Sequence, residues 1–180
     1  MSNKLTLLLA IIGLSSQVRA FHVISNVEDG VVGNIDIETK PFIKIGNGYY
    51  YIETQVEKNW YDAFESCRRM DSHLVSFESI DEWKAIDRYL WDNKIDNGYW
   101  TSGSDYASLE KHEWFSTGLP VSVDIWAPGQ PDNYIDEHCD EIGYKREISH
   151  QHRLNVLPCI CTRRYICEAS QPKTASFVIF

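Results

Sequence analysis

The chain has 180 residues, a length that suits one domain. Its 17 basic and 26 acidic residues leave a net charge of −9, which argues against nucleic acid or an anionic membrane surface as partner, because both select basic patches. After the first twenty residues no run is apolar over the roughly eighteen positions a membrane span needs, so membrane insertion is not expected either.

Residues 1–20 read as a secretory signal. Lys4 supplies the positive start, residues 5–14 the apolar core, and Val18 and Ala20 the small residues of a cleavage site. A mature chain beginning at Phe21 loses Lys4 and Arg19 and no acid, so 15 basic residues face 26 acidic ones and the net charge becomes −11. Such a chain is secreted. Its five cysteines, Cys67, Cys139, Cys159, Cys161 and Cys167, are then expected in disulfides with one thiol left over. Four cysteines can pair in three ways, and spacing alone does not choose among them.

Residues 21–40 are weakly patterned, with turn signals at Asp29-Gly30 and Gly33-Asn34, and read as an N-terminal extension with room for one strand. Ile43, Ile45, Tyr49 and Tyr51 favour strands, and Gly46-Asn47-Gly48 breaks them into a hairpin. Asn59 is the expected N-cap of a first helix, whose buried face is Trp60, Ala63, Phe64, Cys67 and Met70. Ser79 and Glu82 form a capping box for a second helix, with an apolar stripe of Trp83, Ile86 and Leu90, ending over residues 93–98. The link at 72–77 reads as a short strand.

From Gly103 to Tyr134 the period is lost among Gly, Pro, Ser and Asp, while Trp114 and Trp126 argue that this long loop is packed. Strands are expected at 141–144 and 165–168, followed by a C-terminal tail at 171–180. Within the loop and just after it, Gln130, Asp132, Glu137 and Asn155 gather two amides and two carboxylates between cysteines. All four are hard oxygen donors, the kind calcium takes.

These features together resemble the C-type lectin domain, over 41–170. The resemblance rests on Cys67 in the first helix, the run Trp126-Ala127-Pro128-Gly129, the triplet Gln130-Pro131-Asp132, and Glu137 two residues before Cys139. It continues with Asn155 four before Cys159 and closes on Tyr165-Ile166-Cys167-Glu168. It implies an α+β fold, two helices flanking small antiparallel sheets with a long ordered loop region, stapled by disulfides Cys67–Cys167 and Cys139–Cys159. It implies Ca2+ as cofactor, held by Gln130, Asp132, Glu137 and Asn155, with the same residues hydrogen-bonded to two neighbouring sugar hydroxyls. A cis Gln130–Pro131 bond is expected, so that both flanking side chains face one ion. The order amide then carboxylate goes, in this family, with galactose, as in secreted galactose-specific insect lectins; glutamate then asparagine goes with mannose. Tyr134 is the candidate ring for the apolar face of galactose, with Trp126 as second choice. The expected partners are galactose-containing glycans or glycoproteins, with self-assembly left open.

One position departs from the family. Leu154-Asn155-Val156 stands where the family has Trp-Asn-Asp, so Val156 removes a carboxylate from the ion; Asp136 and Asp140 are neighbouring acids that could replace it. An auxiliary calcium site is not expected, because Asn133 and His138 stand where acids are common. The competing expectation is therefore a domain of this fold that recognises a protein without calcium. His138, His150 and His152 with Cys159 and Cys161 match no zinc spacing. An enzyme is not expected: there is no nucleophile motif, and Asp140 and Glu141, adjacent on a strand, point to opposite faces.

Overall fold

The computed structural model describes residues 23–29, 39–122, 124–132, 134–144, 151–170 and 173–179. The expected signal segment, Asn133 and His150 lie outside these residues. The elements are β1 (Val23–Asp29), β2 (Ile43–Ile45), β3 (Gly48–Ile52), α1 (Trp60–Arg68), β4 (Ser72–Leu74), α2 (Ile80–Asp92) and β5 (Tyr99–Ser104), then β6 (Glu113–Trp114), β7 (Leu119–Pro120), β8 (Cys139–Tyr144), β9 (Arg153–Leu157), β10 (Arg164–Ala169) and β11 (Lys173–Ile179).

Local chemistry sets the helices. The Asn59 side chain accepts from the Asp62 N–H at 2.9 Å, and Ser79 Oγ from the Glu82 N–H at 3.2 Å, each satisfying a free first-turn donor. In the second box the Glu82 carboxylate answers the Ser79 backbone N–H in return, and it also takes the N–H of Glu78 and the hydroxyl of Tyr50. Trp60, Ala63 and Cys67 are buried as their spacing requires, as are Trp83, Ile86 and Leu90, while Phe64 and Met70 are half-buried. Gly46, at φ 58°, makes the turn of the β2–β3 hairpin in a backbone region that other residues enter at a cost.

Among the described residues nine strands form one sheet. Its spine runs β2-β3-β10-β5-β6-β7, with β4 also on β10, and β8 bridging β5 to β9. The pairings are antiparallel except one: β10 and β5 run parallel through Arg164–Tyr99 and Tyr165–Trp100, so the sheet is mixed rather than purely antiparallel. Every residue of β5 is buried, and its alternation divides the interior. Tyr99 joins the core under α2, with Phe77, Trp83, Ile86, Trp114, Ile142 and Leu154. Trp100 joins a second core with Trp60, Leu74 and all four paired cysteines. The indole N–H groups are placed too: Trp60 donates to Thr101 O at 2.9 Å, and Trp100 to Lys58 O at 2.8 Å.

The disulfides are Cys67–Cys167 and Cys139–Cys159, with Cα atoms 5.3 and 5.2 Å apart. Cys161 is free and half-buried. The first bridge ties α1 to β10 across 100 residues, a long closed loop that restricts the unfolded chain strongly.

Several strands lie beyond the sequence reading, among them β5 and, inside the run 103–134 read as loop, β6 and β7. Residues 153–157 form a strand, β9, where only a ligand-bearing run was expected. β1 and β11 pair antiparallel from Val23–Ile179 to Asp29–Lys173, so the extension and the tail form a two-stranded ribbon. Gly103 in β5 is required by a close approach. A Cβ there would lie 2.8 Å from the Cβ of Asp140. Gly103→Ala is therefore expected to lower stability by about 1–3 kcal/mol through overpacking, read as a lower thermal midpoint; an unchanged midpoint would mean that β5 and β8 separate freely.

Candidate functional site

The β8–β9 hairpin organises the site. In its register Asp140 faces Val156, Glu141 faces Asn155 and Ile142 faces Leu154. Because side chains alternate, Asp140 and Val156 lie on one side and Glu141 and Asn155 on the other.

The first side is sealed. Asp140 is fully buried and its Oδ1 meets His112 Nδ1 at 2.8 Å, while the edge of Trp126 meets the His112 ring at a centroid distance of 5.0 Å. Burial works against charging His112, but the hydrogen bond and charge of Asp140, with Asp105 behind it, raise its pKa. Burial likewise raises Asp140 against the pull of His112, so the pair holds a proton tightly. Val156, 1% exposed, shares this side. Asp140 is thus buried on the side away from Asn155 with Oδ1 on His112, and Asp136 is exposed on the loop.

The second side faces the loop. Glu141 Oε1 accepts from Asn155 Nδ2 at 3.3 Å, and Glu141 Oε2 accepts from Arg163 Nε. Glu141 and Asn155 are each 4% exposed. Burial raises the Glu141 pKa against Arg163 and Asn155, and the charge of Glu137 adds to the rise. Glu137 therefore sits within electrostatic reach of Glu141.

The Trp126–Gln130 segment reaches this hairpin along the free edge of β9. Leu154 N–H donates to Ile125 O at 2.9 Å, and Ala127 N–H to Leu154 O at 2.8 Å. The next β9 donor, Val156 N–H, goes to the side-chain Oε1 of Gln130 at 3.2 Å. A side chain thus takes over from the backbone, ends the pairing and seats Gln130 beside Asn155. The Gln130–Pro131 bond is cis, as expected.

Beyond it Asp132 is exposed, Tyr134 is 68% and Ile135 90% exposed, and Glu137 is half-buried. Burial and then the negative charge of Asp132 raise the Glu137 pKa. His138 anchors the end of the loop, its Nδ1 at 2.8 Å from Asp105 Oδ1 and its ring 4.7 Å from that of Tyr106.

Gln130 thus sits on the Val156 N–H, next in the chain to Asn155, while Glu137 is coupled electrostatically to Asp132 and to Glu141. Trp126 packs inward on His112, whereas Tyr134 is free to meet a ligand. The zinc alternative disperses: Cys159 is oxidised, His138 is held by Asp105, and His152 Nδ1 lies 2.8 Å from Asp87. Among the described residues no three His, Cys, Asp or Glu side chains gather as a metal site, and the candidate donors are two amides and two carboxylates. They fit calcium in kind. The donors are hard oxygens, the like charges of Asp132 and Glu137 are what a divalent cation relieves, and Gln130 Oε1 keeps a second lone pair.

Glu141, Arg163 and His112 were missed in the sequence. Only the strict alternation Leu154-Asn155-Val156 could have revealed β9, and nothing local reveals its partner.

Cavities of about 530 and 710 Å³ lie elsewhere, around Lys44 and Arg88 and around Glu82 and Glu168.

The chain is a two-helix, disulfide-stapled domain with an irregular loop that carries oxygen donors. The family described as the lectin C-type domain matches residues 56–169. C-type lectin 37Da of Drosophila melanogaster is 39% identical over 161 residues, covering 87% of this chain and 86% of that one. The chain belongs to the C-type lectin domain family. Among solved structures, SPL-1 in complex with GlcNAc aligns with a TM-score of 0.62 at 25% identity, over 74% of this chain and 95% of that one. A calcium-independent type II antifreeze protein aligns with a TM-score of 0.61 at 22% identity, over 74% and 94%; it shares the fold.

Proposed function

We propose that this protein is a secreted lectin that recognises galactose-type glycans with calcium, through Gln130, Asp132, Glu137 and Asn155 in the domain 41–170. The observation that supports it most is the seat of Gln130 on the Val156 N–H, which sets the Gln-Pro-Asp segment against Asn155. A calcium ion held by these donors supplies a hard centre for two adjacent sugar hydroxyls. Gln130 and Asn155 add amide donors to those hydroxyls, Asp132 and Glu137 accept from them, and the exposed Tyr134 ring takes the apolar face of the sugar. Each such contact is weak, and glycans are held firmly when several copies act together. C-type lectin 37Da supports a lectin reading by relatedness.

Retention on immobilised galactose in millimolar calcium, released by chelator and absent on mannose, is the expected result. Retention on neither sugar would sink it. The second reading, a calcium-independent domain for a protein partner, draws on Val156 and on the exposed tip at Ile135, and it becomes the better account if nothing is retained.

A further inference from the structure

We propose that Glu141 and Arg163 are positioning residues that fix which atom of Asn155 faces the ion. The proposal rests on the calcium reading above and deepens it.

Asn155 is a two-faced side chain: its Oδ1 accepts and its Nδ2 donates, and the two ends are nearly the same shape. Only Oδ1 can serve a cation. If the amide were free to turn over, half of its orientations would point hydrogens at the ion. Position 141 removes that freedom. Glu141 stands directly opposite Asn155 in the β8–β9 register, buried on the same side of the hairpin. A carboxylate only accepts, so it takes Nδ2 and turns Oδ1 away from itself.

The carboxylate has to stay a pure acceptor for this to hold. Arg163 favours that, donating Nε to Glu141 Oε2, and a guanidinium has no acceptor to offer in return. Arg163 is itself held at its far end, where its Nη1 donates to Thr162 O at 2.8 Å, and the Arg163 and Lys58 backbones pair in both directions at 2.8 and 3.0 Å. The polarity therefore runs one way, from Arg163 through Glu141 to Asn155. One of the two Nδ2 hydrogens remains for a sugar hydroxyl.

This chain supports a site with only two carboxylates, where each neutral donor matters more. Outer partners of this kind commonly change metal affinity by about 10–100-fold when removed. The test is a titration of the mature protein with terbium(III), read by tryptophan-sensitised luminescence, beside the ¹⁵N–¹H signals of the Asn155 amide in chelator. Glu141→Gln keeps the shape but can offer either end of an amide, so it removes the polarity. It is expected to weaken terbium binding by about tenfold or more and to broaden or shift the Asn155 amide signals, while Arg163→Lys stays close to wild type. A merely structural role would lower the melting midpoint in chelator and leave the affinity of the folded protein unchanged. Glu141→Gln binding terbium as tightly as wild type overturns the proposal and leaves the calcium reading standing. No terbium binding by wild type overturns both. If Glu141→Gln does not fold, Arg163→Gln, on a side chain 34% exposed, is read in the same way.

Discussion

Glu168→Gln is expected to stabilise the protein at pH 8 by a few kcal/mol and to change it little at pH 5. The Glu168 carboxyl is pushed up from 4.5 to about 8, first by burial and then by the charges of Glu82 and Glu78, against hydrogen bonds from Ser76. Ser76 donates its N–H at 3.3 Å and its hydroxyl at 3.5 Å to Glu168 Oε2. Glu82 is itself raised by burial despite accepting from Tyr50 at 2.7 Å. The folded chain thus keeps a proton that the unfolded chain has already released. A folded-state pKa above the unfolded value contributes stability that is full below about pH 4.5 and is lost as pH rises through about 8.

At about 1.4 kcal/mol per pKa unit the whole window is worth on the order of a few kcal/mol. Glutamine imitates the protonated acid and has nothing to release. Urea unfolding in chelator at pH 5, 6, 7 and 8 should show the wild-type midpoint falling relative to the variant. A difference between the two that does not change with pH would show that Glu168 ionises as freely in the fold as out of it.

Val156→Asp is expected to destabilise by about 3–5 kcal/mol, the cost of an uncompensated buried charge, and not to repair the calcium site. From the sequence it looks like the restoration of a missing ligand. In the structure Val156 is 1% exposed and stands across from Asp140, on the side of the hairpin that carries His112 rather than Asn155. A carboxylate there meets another carboxylate already raised by burial and by Asp105, and like charges directly opposite on a sheet repel. The check is urea unfolding of the variant in chelator and in millimolar calcium. If calcium lifts its midpoint to that of wild type, the new carboxylate has reached the ion and the assignment of faces is wrong.

Local chemistry was legible in the sequence. Asn59 and Ser79 start their helices because a short polar side chain can answer first-turn donors within three residues, and Trp83, Ile86 and Leu90 declare a buried stripe by their spacing. The β2–β3 hairpin needed only Gly46 and its neighbours. The disulfide pairing and the cis Gln130–Pro131 bond came from the family resemblance, since five cysteines alone left the pairing open.

What only the tertiary structure decided is who stands opposite whom. Glu141 reads as one more surface acid until β9 sets Asn155 beside it, and His112, 28 residues from Asp140, carries no local mark of its partner. Val156 looked like a simple loss from a ligand set, yet it is buried on the His112 side of the hairpin, across from Asp140. Such pairings depend on register between segments far apart in sequence, set by the sum of core contacts and not by any one residue. A chain can announce its helices, turns and donor atoms locally, while the direction in which a donor points is settled by its neighbours across the sheet.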